Sequence, residues 1–141
     1  MAIVGVMRSQ RIALWAALAA AACWSAKSVA IGVAGGLDKS PLEGPLFIAG
    51  LVSFVVAVVA LGVALTPRVR TSMRVLAGVG AFVVGLALTL ATDAVVGAFH
   101  ASGVERHWVW TEFNLWVAAL VALTIALTLN RDAQPRGQLA T

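Results

Sequence analysis

The chain has 141 residues, of which 61% are hydrophobic and 11% are charged. A soluble domain carries about 25% charged residues, so this composition excludes an ordinary soluble domain. The formal net charge is +4, and the basic residues cluster near the ends of apolar segments. This distribution indicates membrane topology, and no nucleic-acid partner is expected. The single cysteine, Cys23, excludes an intrachain disulfide.

Four apolar segments are each long enough to cross a bilayer, which takes about 20 residues. They cover residues 12–33, 45–66, 75–98 and 108–129. The pattern predicts an all-α integral membrane protein, a bundle of four transmembrane helices with short loops and the lipid bilayer around it. Residues 1–130 then form one transmembrane domain, followed by a disordered cytoplasmic tail over residues 131–141.

The first segment has a second interpretation as a cleaved signal peptide. Arg8 and Arg11 precede an apolar run that leads to three alanines and Cys23, which resembles a lipoprotein cleavage site. The run continues past Cys23 to Val33, which is longer than the apolar core of a signal peptide. We therefore favour a retained first helix.

The basic residues also predict how the chain is threaded, because short loops rich in lysine and arginine stay in the cytoplasm. Seven basic residues share one side of the predicted threading: Arg8, Arg11, Arg68, Arg70, Arg74, Arg131 and Arg136. The other side carries Lys39 and Arg106. We expect both termini to be cytoplasmic and the protein to lie in the plasma membrane.

Three charged residues lie inside the apolar segments, at similar depths. Lys27 is six residues before the outer end of segment one, Asp93 five before that of segment three, and Glu112 four past the start of segment four. At about 1.5 Å per residue, these depths are about 9, 7.5 and 6 Å. An isolated charge at the centre of a membrane helix costs about 2.5–3.5 kcal/mol. We therefore expect Lys27 to pair with Asp93 or Glu112.

This polar cluster has two interpretations. It is either an ion-paired clamp that fixes helix packing or a polar cavity, open to the outside, that binds a cation or carries a proton. Intramembrane ionisable residues are functional candidates, and buried ion pairs stabilise poorly, so we favour the cavity. The corresponding functions are a small transporter or channel-like protein and, as the alternative, a non-catalytic accessory subunit or interaction protein of a larger membrane complex.

Two tryptophans extend the candidate site. Trp24 lies one turn from Lys27, and Trp116 lies one turn from Glu112, so together they could wall an aromatic pocket for an organic cation. The commoner use of tryptophan in membrane proteins is an interfacial belt, which Trp108 and Trp110 fit. The candidate binding residues are Lys27, Asp93, Glu112, Asn114, Trp24 and Trp116.

The remaining polar residues predict no catalytic chemistry. His100 and His107 share the third loop, but their spacing fits no standard zinc site. The sequence contains no nucleophile motif, no glycine-rich phosphate loop and no HExxH. We expect neither an enzyme nor a bound metal or cofactor.

Segments two and three contrast in their packing surfaces. Segment two, with Ser53 as almost its only polar residue, is expected to be a packing or lipid-facing helix. Segment three carries a small or polar residue at every fourth position: Ala77, Ala81, Gly85, Thr89, Asp93 and Gly97. Such a ridge lets another helix approach closely, so we expect a homo-oligomer, in the first place a dimer with segment three near the interface.

Overall fold

The computed structural model describes residues 2–99 and 108–132. These residues form four α-helices: α1 (Ala2–Ala34), α2 (Glu43–Ala64), α3 (Thr71–Phe99) and α4 (Trp108–Asp132). By length and composition, each of the four could cross a membrane. The prediction of an all-α chain with four long apolar helices is confirmed. The two histidines of the third loop and residues 133–141 of the tail lie outside the described residues.

Three of the four helices begin before the residue that the sequence predicts, and α3 does so at Thr71 instead of residue 75. Helix α1 begins at Ala2, well before the predicted start at residue 12. Nothing in this stretch ends a helix, because it contains no proline and arginine is a good helix former. Helix α2 begins at Glu43 and carries Pro45 in its first turn. Proline is tolerated there because the first amide groups of a helix have no intrahelical acceptor.

The buried face of α1 is a stripe that follows the helical repeat. It includes Ser9, Ala13, Ala17, Ala20, Trp24, Lys27, Ser28 and Ile31. A matching stripe on α4 includes Glu112, Ala118, Ala119, Ala122 and Ala126. Alanine side chains let helix backbones approach closely, and α1 packs against both α2 and α4. Each stripe carries its charged residue towards the same end of the bundle.

Helix α3 packs mainly against α2 through small residues. A Cβ atom at Gly62 of α2 would overlap the carbonyl oxygen of Ala77, and it would lie 2.9 Å from the Cβ of Ala81. A Cβ atom at Gly85 would lie 3.4 Å from Val58. The small-residue ridge therefore contacts α2 of the same chain over Ala77, Ala81 and Gly85. The homo-oligomer stays a prediction, but this part of the ridge is already occupied.

Helices α1 and α4 run antiparallel, and a hydrogen bond joins the start of α1 to the end of α4. The Asn130 Nδ2 group donates hydrogen bonds to the carbonyl oxygens of Gln10, at 3.1 Å, and of Ala126, at 2.8 Å. The start of α1, the end of α4 and the α2–α3 connection thus share one end of the bundle, which we call the terminal end. The opposite end carries the α1–α2 loop, and we call it the loop end.

Candidate functional site

A buried ion pair joins α1 to α4 near the loop end. The Lys27 Nζ atom lies 2.6 Å from Glu112 Oε1. Lys27 is 6% exposed and Glu112 is 3% exposed. Both residues occupy the buried stripes of their helices, and the antiparallel arrangement brings the two positions level. The predicted pairing of Lys27 with Asp93 or Glu112 is confirmed, with Glu112 as the partner.

The pair leaves part of the carboxylate unsatisfied. Glu112 Oε2 is buried and has no hydrogen-bond partner among the described residues. The Lys27 ammonium also lies over the Phe47 ring, 5.2 Å from its centroid. An aromatic face attracts a cation at this distance, so carboxylate and ring together hold the ammonium group. The free oxygen of Glu112 can accept a further hydrogen bond.

Lys27 and Glu112 line a cavity of about 580 Å³ to which all four helices contribute. Its polar lining residues are Lys27, Glu112, Thr89, Thr111 and Asn114. Its apolar lining residues are Trp24, Phe47, Leu51, Phe54, Val55, Phe82, Leu86 and Leu115. The cavity thus joins one charged pair and a few hydroxyl and amide groups to a large apolar wall.

Trp24 closes the side of this cavity towards the middle of the bundle. Its side chain is 1% exposed, and its ring lies 5.5 Å from that of Phe54, tilted by 42°. A Cβ atom at Gly50 would overlap Trp24 Nε1, so the indole occupies space that only a glycine leaves open. Phe54 also lines an apolar cleft of about 290 Å³ between α2, α3 and α4. Phe54 therefore lies at the boundary between the polar cavity and this cleft, and Trp24 packs against it on the cavity side.

A second pocket, of about 430 Å³, lies on the loop side of Lys27. Its lining residues are Lys27, Asp38, Ser40, Glu43, Gly44 and Phe47. We call it the outer pocket. The loop that forms it is fixed by a hydrogen bond of 2.9 Å from the Asp38 amide to Glu43 Oε2. Lys27 and Phe47 line both the outer pocket and the cavity, so they form the boundary between the two.

Asp93 and Trp116 lie apart from the cavity lining. Asp93 is exposed on α3. It follows Thr89 by one helical turn on the same flank, so it stands beyond the cavity towards the loop end. Trp116 lies in a groove between α1 and α4 together with Trp108. Four residues advance a helix by about 40° beyond a full turn, which carries Trp116 away from the cavity that Glu112 faces.

The structure therefore separates the two tryptophans of the expected aromatic pocket. Trp24 lines the cavity together with Phe47 and Phe54 of α2, and Trp116 does not. Asn114 lines the cavity as expected. The sequence predicts α2 as a packing or lipid-facing helix because it is almost free of polar residues, and its aromatic residues give no signal of their own. Gly50 gives one indication in the sequence. A glycine inside a helix lowers its stability, so its presence suggests that a neighbouring side chain needs the space.

The described residues contain no group of three histidine, cysteine, aspartate or glutamate side chains that could hold a metal ion. Comparisons with protein-family models, with curated proteins and with solved structures give no match for this chain.

Proposed function

We propose that the protein is a small membrane transporter or channel-like protein for a cation or a proton, with the cavity around Lys27 and Glu112 as its binding site. The observation that carries the proposal is the state of Glu112. One carboxylate oxygen is paired with Lys27, and the other is buried without a partner in a residue that lines the cavity. In this proposal Glu112 is the acceptor, and the Lys27 ammonium is the internal competitor.

The composition of the pair supports a functional role over a purely structural one. A buried ion pair can often be replaced by apolar residues of similar volume with no loss of stability. The alanine stripes and the Trp24–Phe54 contact already hold the helices together. Apolar residues could therefore fix the helix packing without the free-energy cost of burying two charges. Binding and releasing a charge inside a membrane, in contrast, requires ionisable side chains.

The route through the bundle differs on the two sides of the cavity. Towards the loop end, the Lys27 and Phe47 side chains separate the cavity from the outer pocket. Towards the terminal end, Phe54 lies between it and the apolar cleft, in ring contact with Trp24. Transport would require this aromatic contact to open while the Lys27 side is closed. The proposal thus assigns an alternating movement to α1 and α2, which carry these residues.

Flux through proteoliposomes tests the proposal. Protein-dependent movement of protons, or of members of a panel of cations, should be present for the parent and lost in Glu112→Gln. Asp132→Asn, at the exposed end of α4, is the matched control and should keep the parent flux. If folded parent protein moves neither protons nor any cation, transport is excluded and the role of an accessory subunit in a larger membrane complex takes its place.

A further inference from the structure

We infer that the cavity takes an organic ammonium ion, whose cationic head binds Glu112 at the place where the Lys27 ammonium now lies. This inference rests on the proposed function and names the class of its substrate.

The side chain of Lys27 is the template for the ligand. Its ammonium group lies between the Glu112 carboxylate, at 2.6 Å, and the face of Phe47, at 5.2 Å from the ring centroid. A carboxylate and an aromatic face are the two groups that bind alkylammonium ions in proteins. The protein thus already holds an alkylammonium group of its own in this site.

Glu112 has capacity for a second donor. Glu112 is 3% exposed, and its Oε2 atom is buried without a hydrogen-bond partner among the described residues. A buried carboxylate oxygen in this state is costly, and a charge-assisted hydrogen bond would satisfy it. An incoming ammonium group could therefore bind Oε2 before Lys27 leaves Oε1.

The remainder of the cavity suits an organic body. Its volume of about 580 Å³ lies within the range of about 300–1,000 Å³ that is usual for small-molecule sites. Phe82 and Leu86 of α3 and Leu51 of α2 supply an apolar wall. Hard metal cations such as Ca²⁺ instead require about six to eight oxygen ligands. The described lining offers few side-chain oxygens, and the Asn114 Oδ1 atom already accepts a hydrogen bond of 2.8 Å from the Leu115 amide.

The outer pocket gives Lys27 an alternative partner. If ligand and lysine stayed together, the cavity would hold two positive charges against one carboxylate. Lys27 also lines the outer pocket, where Asp38 and Glu43 supply carboxylates. Rotation of the lysine side chain towards these acids leaves the ligand as the single cation beside Glu112. Lys27 then acts as a tethered competitor that the ligand displaces.

Calorimetric titration of the whole protein in lipid nanodiscs tests this inference, with 2-phenylethylammonium as the probe and neutral 2-phenylethanol as its size-matched control. The parent should bind the amine and not the alcohol. Glu112→Gln should weaken amine binding by about ten- to a hundredfold, the loss expected for a charged hydrogen bond. Lys27→Met should tighten binding by about tenfold, because the competitor is removed. Asp132→Asn should match the parent.

The double variant Lys27→Met with Glu112→Gln removes both charges, so it keeps the inference testable where a single variant fails to fold. It should fold and should not bind the amine.

Three results would overturn the inference. They are equal binding of amine and alcohol, no amine binding at millimolar concentration, and undiminished amine binding in the double variant. Flux of protons or inorganic cations without amine binding would overturn it and leave the proposed function standing. Amine binding without any flux would support the site and overturn transport.

Discussion

Lys27 and Glu112 carry the largest burial cost among the described residues, because each places a charge inside an apolar helix. Their contact of 2.6 Å offsets part of this cost. The offset is incomplete, since Glu112 Oε2 has no partner and a buried unsatisfied acceptor costs about 1–3 kcal/mol. Removing one charge is more costly than removing both, because a single change leaves the other charge buried alone.

This asymmetry gives a prediction for stability. Lys27→Met and Glu112→Gln should each lower the free energy of unfolding by about 3–5 kcal/mol, whereas the double variant should lose much less than the sum. Denaturant titration in mild detergent, analysed as a double-mutant cycle, measures the coupling. Additive losses would show that the two side chains do not pair in the folded protein.

Gly50 is the second residue on which the site depends. Gly50→Ala should destabilise the fold, because the new methyl group would occupy the space of the Trp24 indole. Gly80→Ala is the matched control, since nothing lies within 4 Å of a Cβ atom there and alanine favours a helix by about 0.5–1 kcal/mol over glycine. Thermal unfolding compares the two. A Gly50 variant as stable as the Gly80 variant would contradict the placement of Trp24.

The ion pair could be predicted from the sequence, and the other cavity residues could not. Lys27 and Glu112 lie at a common depth, and a charge in a membrane helix needs a partner, so the pairing follows from energetics alone. Asp93 satisfies the same depth argument, yet it lies one helical turn beyond Thr89 towards the loop end and does not line the cavity. The positions of Phe47 and Phe54 at the cavity could not be predicted, because the sequence does not show whether an aromatic residue of an apolar helix faces lipid or a cavity.

At the scale of helices, small residues decide which pairs approach closely. Alanines on α1 and α4 face each other, and Gly62 of α2 receives the Ala77 turn of α3. Among the described residues, no Cα atom of α1 lies within 8 Å of a Cα atom of α3, so these two helices lie across the bundle from one another. Helices α2 and α4 lie between them, and each packs against both.

The α2–α3 contact predicts different outcomes for one substitution at two sites on α3. Ala81→Leu should destabilise the fold by about 1–3 kcal/mol, because the larger side chain would meet the close approach at Gly62. Ala87→Leu, on the exposed face, should change stability by less than about 0.5 kcal/mol. Unfolding and mass in mild detergent are measured together. A stable Ala81 variant that has lost an oligomer would instead place this face at a subunit interface.

The four spans were predictable because an apolar run of the required length has few alternatives. The helix that packs against the small-residue ridge of α3 could not be predicted. A row of small residues shows that some helix approaches closely, but it does not show which one. The early start of α1 was missed for a related reason. Hydrophobicity marks the part of a helix that could lie in lipid, and Arg8 and Arg11 continue the helix outside that part.

At the scale of the whole molecule, charge is distributed unequally between the two ends. The described arginines at the terminal end are Arg8, Arg11, Arg68, Arg70, Arg74 and Arg131. Lys39 lies at the loop end, where its Nζ atom donates a hydrogen bond of 3.0 Å to the Gly35 carbonyl oxygen. This asymmetry favours a cytoplasmic terminal end and an external outer pocket.

Thiol labelling of intact cells tests that orientation. In a Cys23→Ser background, Lys39→Cys should react with a membrane-impermeant reagent and Ser72→Cys should react after the cells are opened. The expected pattern follows from the arginines near Ser72, which favour a cytoplasmic position for that connection. Labelling of Ser72→Cys in intact cells, with Lys39→Cys protected, would reverse the threading and place the outer pocket inside.

Binding and release of charge at Glu112 require that the cavity holds water. The most direct measurement is the reactivity of Thr89→Cys, which lines the cavity, with a water-soluble cationic thiol reagent in lipid nanodiscs and a Cys23→Ser background. Leu90→Cys, exposed on the outer face of α3, is the matched control. A thiol must ionise in water to react, so we expect rapid modification at Thr89→Cys and slow modification at Leu90→Cys. Equally slow modification at both positions would contradict a water-filled binding site around Lys27 and Glu112.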